Sequence, residues 1–165
     1  MNSEEVSFFA AYKDHLVVVA WLLVVVGWFL NNSQSNLREK RKETRSEIDA
    51  ICKKASELAD SCREYYTKPV DPQNDVSESS KIAFEVYRIV SRVERLNGRV
   101  KRCDGSPFEK SVKCCGVFFE AITSDPFKSS TREKLAPDSD FILNIEESTH
   151  GLMDSLEDGF SLAFK

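Results

Sequence analysis

"HLVVVAWLLVVVGWFLNN", residues 15–32 of a 165-residue chain, decides where the rest of the polypeptide resides. Such a run is a secretion signal, a buried element of a soluble core, or a permanent membrane anchor. From Leu16 to Leu30 no side chain is charged or strongly polar. Crossing ~30 Å of hydrocarbon takes ~20 helical residues, more than this run supplies alone. Val6, Phe8, Phe9, Ala10, Ala11 and Tyr12 extend it, interrupted only by Lys13, Asp14 and His15. Lys13 can snorkel outward and pair with Asp14 near the interface. Tyr12 and Trp28 suit the headgroup level at either end. The expectation is a transmembrane anchor over residues 10–30, carried by Leu16, Trp21, Gly27, Trp28 and Leu30.

The competing readings fail on chemistry. A cleavable signal needs a positive N-terminal region and small residues at a cleavage site. Here Glu4 and Glu5 precede the run, and "GWFLNNSQSN" closes it. A core helix made of this segment has no polar face and needs burial on all sides. A chain of this size has little protein left to provide that.

Orientation follows from the flanks. One lysine precedes the run, whereas Arg38, Lys40, Arg41, Lys42 and Arg45 follow it. Positive flanks stay on the cytoplasmic side. Residues 1–9 are therefore expected outside and residues 31–47 as a basic juxtamembrane stalk helix. Residues 48–165 are expected as a cytoplasmic domain of a single-pass protein in the inner or plasma membrane. The basic stretch also attracts anionic headgroups, at up to ~1 kcal/mol per residue near the surface. The cysteines agree with this side of the membrane. Cys52, Cys62, Cys103, Cys114 and Cys115 are odd in number and lack paired spacing, which suits reduced thiols packed as small apolar groups.

The remainder reads as helices. Net charge is −4, with 41% hydrophobic residues, six Gly and five Pro, a composition that favours helix over strand and disfavours nucleic acid as a partner by bulk charge. From Ser35 to Tyr66 there is neither Gly nor Pro, with Ser33 or Ser35 as N-cap. Ile48, Ile51, Ala55, Leu58, Cys62 and Tyr65 step by 3 and 4, a heptad seam. Pro69 and Pro72 interrupt. A second helix is expected from near Ser77 to about Arg102, with its seam at Ile82, Val86, Ile89, Val93, Leu96, Val100 and Cys103. Ser106 as N-cap and Pro107 at the first helical position open a third. Its apolar side carries Phe108, Val112, Cys115, Phe119 and Ile122, widened by Phe118. After a connector with one helical turn around Thr131, a fourth helix from about Ser139 aligns Ile142, Ile145, Thr149, Leu152, Leu156, Phe160 and Ala163. The fold class is all-α: one N-terminal transmembrane helix, then an antiparallel bundle of about four helices.

Charge is unevenly placed. Arg88, Arg92, Arg95, Arg99 and Arg102 form a ladder beside the second seam, while residues 135–164 contain no Lys or Arg and seven acids. The plainest expectation is that the acidic helix packs beside the ladder, opposite signs selecting the pairing. The alternative is a ladder facing a partner. No aromatic residue interleaves the arginines in this reading, which weakens a single-stranded nucleic-acid platform.

Chemistry is sparse. His15 and His150 are the only imidazoles. A dyad of His150 with Cys114 or Cys115 is geometrically open but not required by spacing. Adjacent Cys114 and Cys115 lack the spacing of a zinc site. No P-loop, dinucleotide fingerprint, nucleophile elbow or HExxH occurs, so no catalytic residue, metal or cofactor is assigned. The sequence points to a membrane-anchored interaction or scaffold protein that meets a protein partner or itself. The alternative is a sensor or enzyme whose ligand pocket is lined by the arginine ladder, with its small molecule undefined.

Overall fold

The computed structural model describes residues 3–100, 105–128 and 133–165, with side chains from residue 17 onward. Among them are four helices and no strand: α1 (Ser3–Thr67), α2 (Pro72–Arg99), α3 (Glu109–Thr123) and α4 (Asp140–Ala163). The chain divides into two compact units, Met1–Lys42 and Glu43–Lys165.

The first unit is wholly helical over its described residues. From Val17 it contains an 18-residue window of mean hydropathy 1.5 with none of it buried, long and apolar enough to cross a membrane. Trp21, Gly27, Trp28 and Leu30 are exposed there. Leu16 lies on the helix, and its side chain is outside the described set. The N-cap expected at Ser33 or Ser35 is absent, because α1 is already helical before them. Continuing a helix needs no fresh nucleation, so polar residues there stay helical.

The second unit is a four-helix bundle built on the seams. Ile48, Ile51, Ala55, Leu58, Cys62 and Tyr65 of α1 are all buried, as are Ile82, Val86, Ile89, Val93 and Leu96 of α2. Val100 is partly buried, and Cys103 and Arg102 lie outside the described residues. Helix α2 begins earlier than Ser77. Asp71 caps it by accepting from the Gln73 amide, and Pro72 starts the helix. Proline at the first helical position lacks an N–H that would have had no partner anyway, so here it starts a helix.

Helix α3 starts at Glu109, later than expected. Ser106 donates to the Val100 carbonyl and accepts from the Phe108 amide, making a turn ahead of the helix. Its core face is also rotated: Phe118 is fully buried, Phe119 only partly, and Ser111 and Cys115 complete the face. Helix α4 begins at Asp140 beside Ser139, as expected, and buries Ile142, Ile145, Thr149, Leu152 and Leu156. Phe160 and Ala163 are only partly buried. Small residues bring α3 and α4 close: Ser111 donates to the Ser155 carbonyl at 2.9 Å, and Gly159 lies against the Phe108 ring.

Ion pairs and ring contacts show which helices are neighbours. Helix α1 meets α2 through Glu47–Arg92 and Lys68–Glu78, and α4 through Arg45–Glu157 and Arg63–Glu146. Helix α3 meets α2 through Tyr87–Phe119 and α4 through Lys110–Asp158. The residue numbers run oppositely in each pair joined to α1, so the arrangement is up-down-up-down. Helices α2 and α4 sit diagonally, each between α1 and α3. At one end, Tyr66 donates to the Ile122 carbonyl and the Leu135 amide donates to the Tyr66 carbonyl, tying the connector back to α1. The turn expected at Thr131 falls outside the described residues.

Candidate functional site

Bundle helices bury one face, so a functional surface is sought on the faces left over. On α2 the buried seam points inward, and at about 100° per residue Phe84, Arg88, Ser91 and Arg95 fall opposite it. All four are exposed. Phe84 is 66% exposed and Tyr87 62%, unusual for aromatic side chains in a domain with this much core to fill. Tyr87 leans on Phe119 of α3, centroids 5.4 Å apart. Val76 continues the apolar stripe one to two turns toward the helix start. Aromatic residues thus do border the arginines. Sequence spacing alone concealed this, since only the position of the buried face shows which aromatics are left outside.

The ladder is divided between structure and surface. Arg92 is half-buried, and its Nε donates to Glu47 Oε1 at 3.0 Å. It locks α2 to α1. Among the described residues, Arg88 pairs with Glu85 of its own helix, at 3.4 Å. Arg95 and Arg99 are exposed and form no ion pair among the described residues.

The expected cover is absent. The acids of α4 that form ion pairs reach α1 and α3: Glu157 to Arg45, Glu146 to Arg63, Asp158 to Lys110. Among the described residues none reaches the ladder. The reason is positional: with α2 and α4 on a diagonal, their outer faces point away from each other. An exposed ion pair contributes only ~0–1 kcal/mol and cannot override the packing that sets neighbour order.

The juxtamembrane basics divide in the same way. Arg38, Lys40, Arg41 and Lys42 are exposed in the first unit. Arg45 belongs to the bundle: it donates to Asp49 at 3.0 Å and to Glu157 at 2.5 Å, and stacks 5.5 Å from the Phe160 ring centre. The hydrogen bond it donates to Glu157 raises its pKa above the usual arginine value.

Two grooves open on the bundle. One of about 240 Å³ lies between α1 and α2, with Leu58, Tyr65, Glu78 and Glu85 in its walls. Another of about 440 Å³ lies beside the α1–α2 turn, bounded by Tyr65, Val70, Val76 and Lys128. No ladder arginine lines either. Cys115 and Phe118 are packed into the core.

Three of the thiols are held in the neutral form. Burial pushes Cys62 and Cys115 up to about 12 and Cys52 to about 11, so the nucleophilic thiolate is scarce near neutrality. His150 is exposed on α4, whereas Cys115 is buried and Cys114 half-buried on α3. Among the described residues no cluster of three His, Cys, Asp or Glu is placed to hold a metal.

No family model, curated protein or solved structure matches this chain. Function is therefore read from the geometry.

Proposed function

We propose that this is a single-pass protein of the inner or plasma membrane, amino terminus outside, whose cytoplasmic bundle works as an interaction or scaffold module. Its docking surface is the outer face of α2. The observation that carries the reading is the exposure, among the described residues, of Phe84 and Tyr87 beside Arg88, Arg95 and Arg99. Leaving such rings in water forgoes roughly 1.5–3 kcal/mol of burial each. Aromatic residues with arginine are also the composition enriched in the energetic centres of protein interfaces. The anchor supports the reading by confining the bundle to a surface, where weak contacts are promoted by local concentration.

Photo-cross-linking in intact membranes tests it. A benzophenone residue at Tyr87 is expected to give protein adducts that disappear when Arg88, Arg95 and Arg99 are changed to Glu. The same residue at Val117, exposed on α3, should give none. Equal labelling from both positions sinks the docking surface. Topology is checked separately: the chain should resist carbonate extraction, and its bundle should resist protease added outside spheroplasts.

A further inference from the structure

The fold separates two complementary surfaces that one molecule cannot bring together. On α2 the outer face carries Phe84, Arg88 and Arg95, flanked by Tyr87 and Arg99. On α4 the outer face carries exposed Glu147, Asp154 and Asp158 between exposed Leu143 and Leu162. Arg95 and Arg99 on one side, and Glu147 and Asp154 on the other, form no ion pair within the bundle among the described residues. No Lys or Arg occurs from residue 135 to 164, so α4 presents acid undiluted by its own cations.

We infer that the occupant of the α2 face is the α4 face of a second copy of this chain, giving a head-to-tail, side-by-side assembly. This rests on the proposed docking role of α2 and names its partner. Register supports it. Helices α2 and α4 run in the same direction, both opposite to α1, so copies packed with parallel axes bring them together as a parallel pair. The contacts to α1 set their relative height: Arg92 meets Glu47 beside the Arg45–Glu157 pair, and Glu78 meets Lys68 near the Arg63–Glu146 pair. At that height, to within about one turn, Asp158 lies level with Arg95. Asp154 falls between Arg88 and Arg95, and Glu147 lies level with Phe84, one turn from Arg88. Leu143 falls between Val76 and Phe84. Asp154 and Asp158 thus come beside Arg88 and Arg95, and Leu143 beside Val76 and Phe84, without sliding one helix along the other, while Leu162 comes level with Arg99.

Because the two faces differ, the contact is heterologous. A bound pair keeps a free α4 face on one copy and a free α2 face on the other, so growth continues to a closed ring or an open row.

The test uses the full chain in phosphatidylcholine vesicles, free of anionic lipid. Ser91→p-benzoylphenylalanine places the photo-label between Arg88 and Arg95. Irradiation is expected to give dimers and higher species whose cross-linked peptides come from α4. Arg95→Glu with Arg99→Glu, or Glu147→Lys with Asp154→Lys, should each lower adduct yield at least fivefold while circular dichroism stays helical. Mixing the two reversed chains should restore it, because each then supplies the face the other needs. Adducts joining α2 to α2, adducts to lipid alone, or no recovery on mixing overturn the inference. Labelling of a different protein in cells, without self-adducts in vesicles, overturns it while leaving α2 as the docking surface. No protein adduct in either setting removes both.

Discussion

Replacing Gly159 by alanine puts a methyl group where α3 and α4 come closest. A β-carbon there would lie 2.5 and 2.7 Å from two Phe108 ring atoms and 3.0 Å from the Pro107 carbonyl oxygen. Phe108 is fully buried, so its ring has no solvent to swing into, and the carbonyl belongs to the backbone of the turn before α3. The α3–α4 contact must open or the ring must leave its rotamer. Overpacking of this kind costs ~1–3 kcal/mol. Alanine also gains ~1 kcal/mol of helix propensity over glycine, which masks part of the loss. Gly151→Ala on the same helix supplies the control, since nothing lies within 4 Å of a β-carbon there. The two variants share the propensity gain, so their difference isolates the steric cost. With a fully buried ring and a backbone oxygen both in the way, that difference should fall in the upper half of the range, ~2–3 kcal/mol. Urea unfolding of the full chain in micelles, followed by helical dichroism, measures it. Phe108→Leu in the Gly159→Ala background should recover ~1 kcal/mol or more of the loss as a coupling between touching residues. If the Gly159 and Gly151 variants unfold at the same urea concentration, the close approach of α3 to α4 is wrong.

Tyr66→Phe removes the buried hydrogen bond to the Ile122 carbonyl, and a loss of ~0.5–1.5 kcal/mol is expected in the same assay. Asp71→Ala deprives α2 of the side chain that accepts from Gln73, and should cost ~1 kcal/mol, whereas Asp71→Asn should cost much less. Cys62 and Cys115 titrate near 12 in the fold against ~8.5 when unfolded, so the unfolded chain releases these protons first. Their contribution is intact below about pH 8.5 and falls as pH rises toward 12, by up to ~1.4 kcal/mol per pH unit for each thiol. The urea midpoint should drop between pH 8 and pH 10, and Cys62→Ala should flatten that slope; an unchanged slope contradicts burial as the cause. Arg45→Ala breaks an ion pair whose side chains are both nearly half-exposed, so the loss should stay under ~1 kcal/mol and shrink in salt.

Much of this architecture is legible in the one-dimensional pattern because helical periodicity is a local property. The seam of α1 from Ile48 to Tyr65 and that of α2 from Ile82 to Leu96 are buried throughout as the 3–4 spacing requires. Where spacing is dense with apolar residues the pattern loses its phase. Phe118 and Phe119 are adjacent, each fits an amphipathic face, and only packing against α2 and α4 places Phe118 inside. Helix starts are ambiguous in the sequence where one residue type has two uses. Pro72 breaks a preceding helix and equally begins a new one, and the Asp71 cap decides the matter.

The candidate surface was only half visible. The arginine ladder stands out in the sequence, but the exposure of Phe84 and Tyr87 beside it does not. An outward face is defined by what the inward face contacts, and that is a tertiary fact.

The sequence by itself determined the apolar segment near the amino terminus, the number of helices in the bundle, and which stripe of the first two bundle helices is buried. These depend on residues within a few turns of one another, where a fixed rise and twist convert spacing into geometry. Only the tertiary structure decided which helices are neighbours. It assigned the acids of α4 to Arg45, Arg63 and Lys110 and left Arg95 and Arg99 facing water, because neighbour order is set by packing of the shared core, against which weak surface charge attraction has little influence.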